Sequence, residues 1–164
     1  MNLIGSNEQV RRGIETPPWG LNWFIATSLS NHQRGAAVDV SLGRVISLDN
    51  RNSGDFVYSQ ITEFEEYAMP TAMHELSSLA AVFRYPVSST SPDAWRGVPL
   101  ADAVTEGVTR LQSYFAGAGF TPLASEWWHF NDLESAQIAS GIRITGEFFC
   151  ETVYSAAARI HRPD

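Results

Sequence analysis

Two short segments of this chain carry residues that could bind a metal ion. His32 lies in a polar stretch that leads into an apolar run, and Asp39 lies inside that run between Val38 and Val40. A carboxylate is costly to bury in apolar surroundings unless it is paired, hydrogen-bonded or bound to a metal. From the spacing alone, the alternative is a solvent-facing aspartate on a half-exposed strand and a histidine in a loop.

The second segment places Glu126 and His129 on either side of two tryptophans. Residues three apart on a regular strand point to opposite faces, so their convergence requires a twist, a bulge or the strand's end. The alternative is an aromatic core strand with polar ends. If the two segments meet, their two histidines and one carboxylate form a set of three zinc ligands that leaves the fourth coordination position open. Glu126 could then take a proton from water as the general base.

The composition argues against several classes of chemistry. The chain contains no lysine, which excludes Schiff-base chemistry and a Walker A phosphate loop. Cys150 is the only cysteine, so neither an internal disulfide nor a cysteine-rich zinc site is possible. The net charge is -7 and no basic stripe occurs, so we expect no nucleic-acid partner.

Length and hydropathy predict one ordinary globular domain. The 164 residues, of which 44% are hydrophobic, are enough for a single domain over residues 1–164 with its own core. The chain has no signal-peptide pattern and no apolar run of the roughly 20 residues that a membrane helix needs. We therefore expect a cytoplasmic protein without a membrane span. The oligomeric state is not predicted.

The hydrophobic patterning predicts both strands and helices. The expected strands lie at 22–28, 35–42, 56–61, 125–130 and 146–154, and a polar turn is expected at 49–55. Residues 73–83 have helical character. The clearest helix is predicted over 100–116, with Val104, Val108, Leu111 and Phe115 on one face and glycines after it. The expected fold class is α+β, with helices packed on an antiparallel sheet.

The two chemical segments together resemble a known family. SNHQRGAAVDVSL fits the pattern SxHxxGxAxD, and SEWWHF fits ExWH. In this order the motifs resemble those of the zinc D-alanyl-D-alanine dipeptidases and carboxypeptidases, a family that includes the vancomycin-resistance dipeptidases. The similarity extends over residues 24–134. It implies the α+β fold that these DD-peptidases share with the Hedgehog signalling domain.

The resemblance also implies a role for individual residues. His32, Asp39 and His129 would be the zinc ligands, and Glu126 would be the catalytic base that activates zinc-bound water. Ser30 matches a serine near the substrate and would bind it. His74 departs from the family pattern; it could bind a substrate carboxylate or the metal, and the alternative is an ordinary loop or helix-face histidine. The implied reaction is hydrolysis of the peptide bond in D-Ala-D-Ala or a similar short peptide of the bacterial cell wall. Other divalent metals could occupy such a ligand set.

Two positions depart from the family pattern. Family members use an arginine well upstream of the first zinc histidine, whereas Arg11 and Arg12 in VRRG do not fit that pattern. The chain is therefore expected to be short at its N-terminus. His74 stands where the dipeptidase branch has an acidic residue. These departures keep two alternatives open: a cell-wall endopeptidase or amidase like those of phage lysins, and a catalytically silent zinc-binding domain that binds peptides.

Overall fold

A computed structural model describes Glu8, Arg12 and residues 14–26 and 28–141, which fall into two compact units. The first unit contains the described residues up to Leu42 and from Tyr67 onward. The second unit contains the segment Gly43–Glu66. The predicted strand at 146–154, with Cys150, lies outside the described residues.

A three-stranded antiparallel sheet organises the first unit. Its strands are β1 (Ala37–Asp39), β4 (Thr121–Pro122) and β5 (His129–Asn131), in the order β1-β5-β4. The central strand, β5, pairs with β1 so that Asp39 lies opposite His129. β1 falls inside the strand predicted at 35–42, whereas β5 overlaps the strand predicted at 125–130 only at His129 and Phe130 and extends one residue beyond it.

Helix α1 (Glu106–Gly117) supplies much of the core of the first unit. Its residues Val108 and Leu111 are buried, and the ring of Phe115 stacks on Phe130 of β5 with centroids 4.3 Å apart. The helix begins at Glu106, whereas the periodicity predicted a start at residue 100. The reason is that the preceding residues bond to another segment: Ala101 donates its backbone N–H to the carbonyl oxygen of Val82 at 2.9 Å.

Three further segments differ from the predicted elements. Helix α2 (Leu133–Ser140), which the patterning did not predict, follows β5 and is capped by the side chain of Asp132. The predicted strand at 22–28 is replaced by a short 3-10 helix at Leu21–Trp23. The predicted helix at 73–83 is reduced to a 3-10 turn at Ser78–Ala80. The next residues are extended, because Val82 donates its backbone N–H to the carbonyl oxygen of Ala124 at 2.9 Å.

The second unit is an antiparallel hairpin of β2 (Gly43–Ser53) and β3 (Phe56–Glu66). The strand predicted to start at Phe56 is present and extends to Glu66. The stretch predicted as a turn at 49–55 forms the end of β2 and a tight turn, in which Gly54 has φ +59. A positive φ of this size favours glycine because it has no Cβ.

The described residues thus form small antiparallel sheets and two helices, an arrangement compatible with the predicted α+β class. Within this part of the chain, no helix combines the length and apolar character that crossing a membrane requires.

Candidate metal centre

A tight turn brings His32 back toward the start of β1. Gly35 donates its backbone N–H to the carbonyl oxygen of His32 at 3.0 Å, and Ala36 donates to that of Asn31 at 2.8 Å. Gly35 has φ +68, a conformation that a residue with a Cβ adopts at a cost. The GAA sequence after His32 therefore provides the turn and the small side chains that lead into the strand.

Strand pairing brings Asp39 and His129 together. They are direct partners in the antiparallel ladder of β1 and β5. The backbone N–H of Val40 extends the contact by donating to the carbonyl oxygen of Trp128 at 2.9 Å. Directly opposed residues of an antiparallel pair project from the same face of the sheet. The register alone thus makes two of the predicted ligands neighbours.

The three predicted metal ligands converge on one point. His32 Nε2 lies 3.0 Å from His129 Nδ1 and 3.2 Å from Asp39 Oδ1. Asp39 Oδ1 lies 3.3 Å from His129 Nδ1. In tetrahedral zinc sites, metal–ligand bonds of about 2.0–2.1 Å place the ligand atoms about 3.3 Å from one another. The three atoms are therefore spaced like one face of a zinc tetrahedron.

The hydrogen bonding of these groups also suits a cation. Asp39 Oδ1 is buried and accepts no hydrogen bond from the described residues. His129 Nε2 lies 3.1 Å from Asn131 Oδ1, an atom that only accepts, so this nitrogen carries the proton. The lone pair of Nδ1 then faces the other two ligands. Burial lowers the pKa of His129, which keeps its imidazole neutral, as metal binding requires.

Asn131 is a site residue that the sequence reasoning missed. It is buried, and its Oδ1 accepts a hydrogen bond from Asn31 Nδ2 at 2.8 Å in addition to the one from His129. Partners of this kind fix the orientation and tautomer of a metal-binding histidine. The signal in the sequence was a polar residue two positions after His129, since alternate residues of a strand share a face.

Glu126 lies in a turn just before β5, which explains how it approaches His129 across two tryptophans. The backbone N–H of His129 donates to the carbonyl oxygen of Glu126 at 3.3 Å, and Glu126 Oε2 is 3.7 Å from His129 Nδ1. Burial, followed by repulsion from Asp39, raises the pKa of Glu126 to about 8, while a hydrogen bond from Trp128 opposes the shift. A carboxylate with such a pKa can both accept and return a proton near neutral pH.

The four groups open onto a pocket of about 450 Å³. Its other lining residues include aromatic and aliphatic side chains together with small polar ones: Asn22, Trp23, Phe24, Ile25, Ser30, Asn31, His74, Leu76, Ser89, Leu123 and Trp128. Ser30 and His74, the predicted substrate-binding residues, thus belong to the same pocket. The Ser30 hydroxyl accepts the backbone N–H of Gln33 at 3.3 Å, and His74 contacts Asp39.

Arg12, the upstream arginine that the structure describes, is not among the residues that line this pocket. Arg12 is exposed and pairs with Glu8, with 2.9 Å between Nε and Oε1. Arg11 lies outside the described residues. The upstream arginine of the family pattern is therefore not assigned to any described residue.

Comparison with known proteins identifies no relative of this chain. No protein-family model, no curated protein and no solved structure matches it. The resemblance to the zinc DD-peptidases consequently depends on the two motifs alone. The functional interpretation depends on the geometry of His32, Asp39, His129 and Glu126 in the first unit.

Proposed function

We propose that this chain is a zinc-dependent peptidase that hydrolyses the peptide bond of D-Ala-D-Ala or a similar short cell-wall peptide. One observation carries the proposal. The ligand atoms of His32, Asp39 and His129 meet at 3.0–3.3 Å beside the carboxylate of Glu126. Two histidines and one carboxylate are a recurrent ligand set of catalytic zinc, which keeps a fourth position free for water or substrate.

The metal ligands and Glu126 have different roles in the proposed hydrolysis. Zinc held by the three ligands would polarise the scissile carbonyl and lower the pKa of a water molecule. Glu126 takes the proton of the attacking water and delivers it to the leaving amine nitrogen. Trp128 hydrogen-bonds to Glu126, which favours the ionised carboxylate that a base requires.

The pocket beside these groups supports a small substrate. Its volume of about 450 Å³ falls within the range of roughly 300–1,000 Å³ that is typical of small-molecule sites. Trp23, Phe24 and Ile25 offer apolar surface, which suits the methyl groups of alanine residues. Asn22 and Ser30 offer hydrogen-bonding groups for a peptide backbone.

The first test is the replacement of Glu126 by Gln, which removes the base and keeps the shape of the side chain. We expect D-Ala-D-Ala hydrolysis by the zinc-loaded protein to fall about 10²–10⁴-fold, because general-base catalysis contributes about that factor. Bound zinc should remain, since Glu126 is not a ligand. Release of D-alanine and the metal content are measured on the same samples.

The matched control is Glu134→Gln, which removes an exposed carboxylate on α2 and should leave turnover unchanged. Full activity of Glu126→Gln would contradict the assigned base. A wild-type protein that binds zinc but cleaves neither D-Ala-D-Ala nor larger peptidoglycan fragments would overturn the proposal in favour of a silent zinc-binding domain. Cleavage of the larger fragments alone would favour the endopeptidase or amidase alternative.

A further inference from the structure

His74 adopts a conformation that ordinary packing does not explain. Its φ is +67, and among the residues that the structure describes it is the only non-glycine with a positive φ. This left-handed region is unfavourable for a residue that has a Cβ. The side chain is also 65% exposed, so the burial of apolar surface offsets little of this unfavourable backbone conformation. Backbone strain of this kind is characteristic of residues that a functional site holds in place.

Two contacts hold the imidazole of His74. Its Nε2 lies 3.1 Å from Asp39 Oδ2, and because an ionised carboxylate only accepts, Nε2–H is the donor. The ring meets the buried Trp128 edge to face, with centroids 5.8 Å apart and planes at 89°. Packing against the buried Trp128 thus limits the movement of the imidazole and keeps its N–H group directed at Asp39.

The two carboxylate oxygens of Asp39 have different partners. Oδ1 is buried and faces His32 Nε2 and His129 Nδ1 at 3.2 and 3.3 Å. Oδ2 accepts the hydrogen bond from His74. This bond opposes rotation of the carboxylate about its Cβ–Cγ bond, and it therefore determines which oxygen faces the histidines.

We propose that His74 is a positioning residue that orients Asp39 for metal binding. The inference builds on the proposed metal site and assigns His74 a role different from the substrate contact predicted for it from the sequence. Hydrogen bonds from outer residues to ligating groups typically change metal affinity about 10–100-fold when they are removed. The same organisation is present at His129, whose Nε2 is held by Asn131.

Three substitutions at this position separate the hydrogen bond from the backbone conformation. His74→Gly accepts the positive φ without strain and removes the donor. His74→Asn tolerates the same φ, but its shorter side chain falls short of Asp39. His74→Gln carries an N–H donor near the position of the imidazole Nε2. Glu75→Gln is the control, since the Glu75 carboxylate accepts from Ser77 and not from the metal ligands.

The measurements are the zinc dissociation constant, obtained by competition with a chromophoric chelator, and the visible absorption spectrum of the cobalt(II)-substituted protein. We expect His74→Gly and His74→Asn to bind zinc about 10–100-fold more weakly and to show altered cobalt spectra. His74→Gln should recover most of the affinity, and Glu75→Gln should match the wild type. Thermal melts establish that the variants are folded.

Two results would overturn the inference. One is unchanged zinc affinity and an unchanged cobalt spectrum in all three His74 variants. The other is unchanged metal affinity together with a raised KM for D-Ala-D-Ala, which would make His74 a substrate contact. A wild-type protein that binds no metal would overturn the proposed function itself. The metal content of the wild type is therefore measured before any variant is compared with it.

Discussion

At the scale of single residues, the proposed general base Glu126 lies in an environment that is unfavourable for its charge. The side chain is buried next to Asp39, and its pKa is raised from 4.5 to about 8. The folded protein therefore keeps a proton on this carboxyl at pH values where the unfolded chain has released it. Because the folded pKa is the higher one, the stabilisation is complete below pH 4.5 and is lost as the pH rises to about 8.

This proton linkage makes a prediction for the metal-free protein. Relative to Glu126→Gln, which cannot ionise, the wild type should lose a few kcal/mol of unfolding free energy between pH 4.5 and 8, at about 1.4 kcal/mol per pKa unit. Urea unfolding of both proteins in the presence of a chelator, repeated across this range, measures the difference. A difference that stays constant with pH would show that Glu126 has an ordinary pKa.

The sequence could identify the candidate ligands and the candidate base but not the contacts that orient them. His32, Asp39, Glu126 and His129 are recognisable because their types and spacing suit a zinc site. The contacts of Asn131 and His74 depend on strand register and on one left-handed residue, which no local pattern encodes. The side chains that hold a ligand set in place are therefore visible only in the folded protein.

At the scale of elements, β5 connects the site to the core. His129 and Asn131 lie on the face of the sheet that carries Asp39, whereas Phe130, which lies between them, points to the opposite face and stacks on Phe115 of α1. Because successive side chains of a strand point to opposite faces, the two outer residues contribute to the site and the middle residue contributes to the core. The packing of Phe130 in the core therefore helps to fix the position of His129 opposite Asp39.

Removing this aromatic contact should destabilise the first unit. Phe130 is fully buried, and Phe130→Ala is expected to lower the unfolding free energy by about 3–5 kcal/mol, through lost apolar burial and the cavity left behind. Tyr114→Ala is the control, because this exposed residue of α1 should change stability by less than about 0.5 kcal/mol. A loss below 1 kcal/mol for Phe130→Ala in urea unfolding would mean that the core is packed differently.

The boundaries of the elements were less predictable than the residues of the site. The helical periodicity around Val108 and Leu111 correctly identified α1, but the apolar residues before it belong to an extended segment bonded to Val82. Residues 73–83 carry a helical pattern yet form turns and the short 3-10 helix at Ser78–Ala80, because backbone groups of Ala80 and Val82 bond to the turn that holds Glu126. In both segments, long-range pairing outweighs a local preference.

At the scale of the whole molecule, the proposed chemistry belongs to one of the two units. The ligands, the base and the residues that hold them all lie in the first unit, and their strands are short. The second unit is described as a long hairpin with exposed apolar residues such as Leu48, Ile61 and Phe64. Two-stranded hairpins are marginally stable on their own in water.

The central claim is that His32, Asp39 and His129 form a metal site. The most direct test is elemental analysis of the purified protein, before and after zinc titration, for the wild type and His129→Ala. We predict about one zinc per wild-type chain, as for a mononuclear catalytic site, and its loss in His129→Ala. A wild-type protein that neither contains nor takes up zinc or another divalent metal would contradict the account.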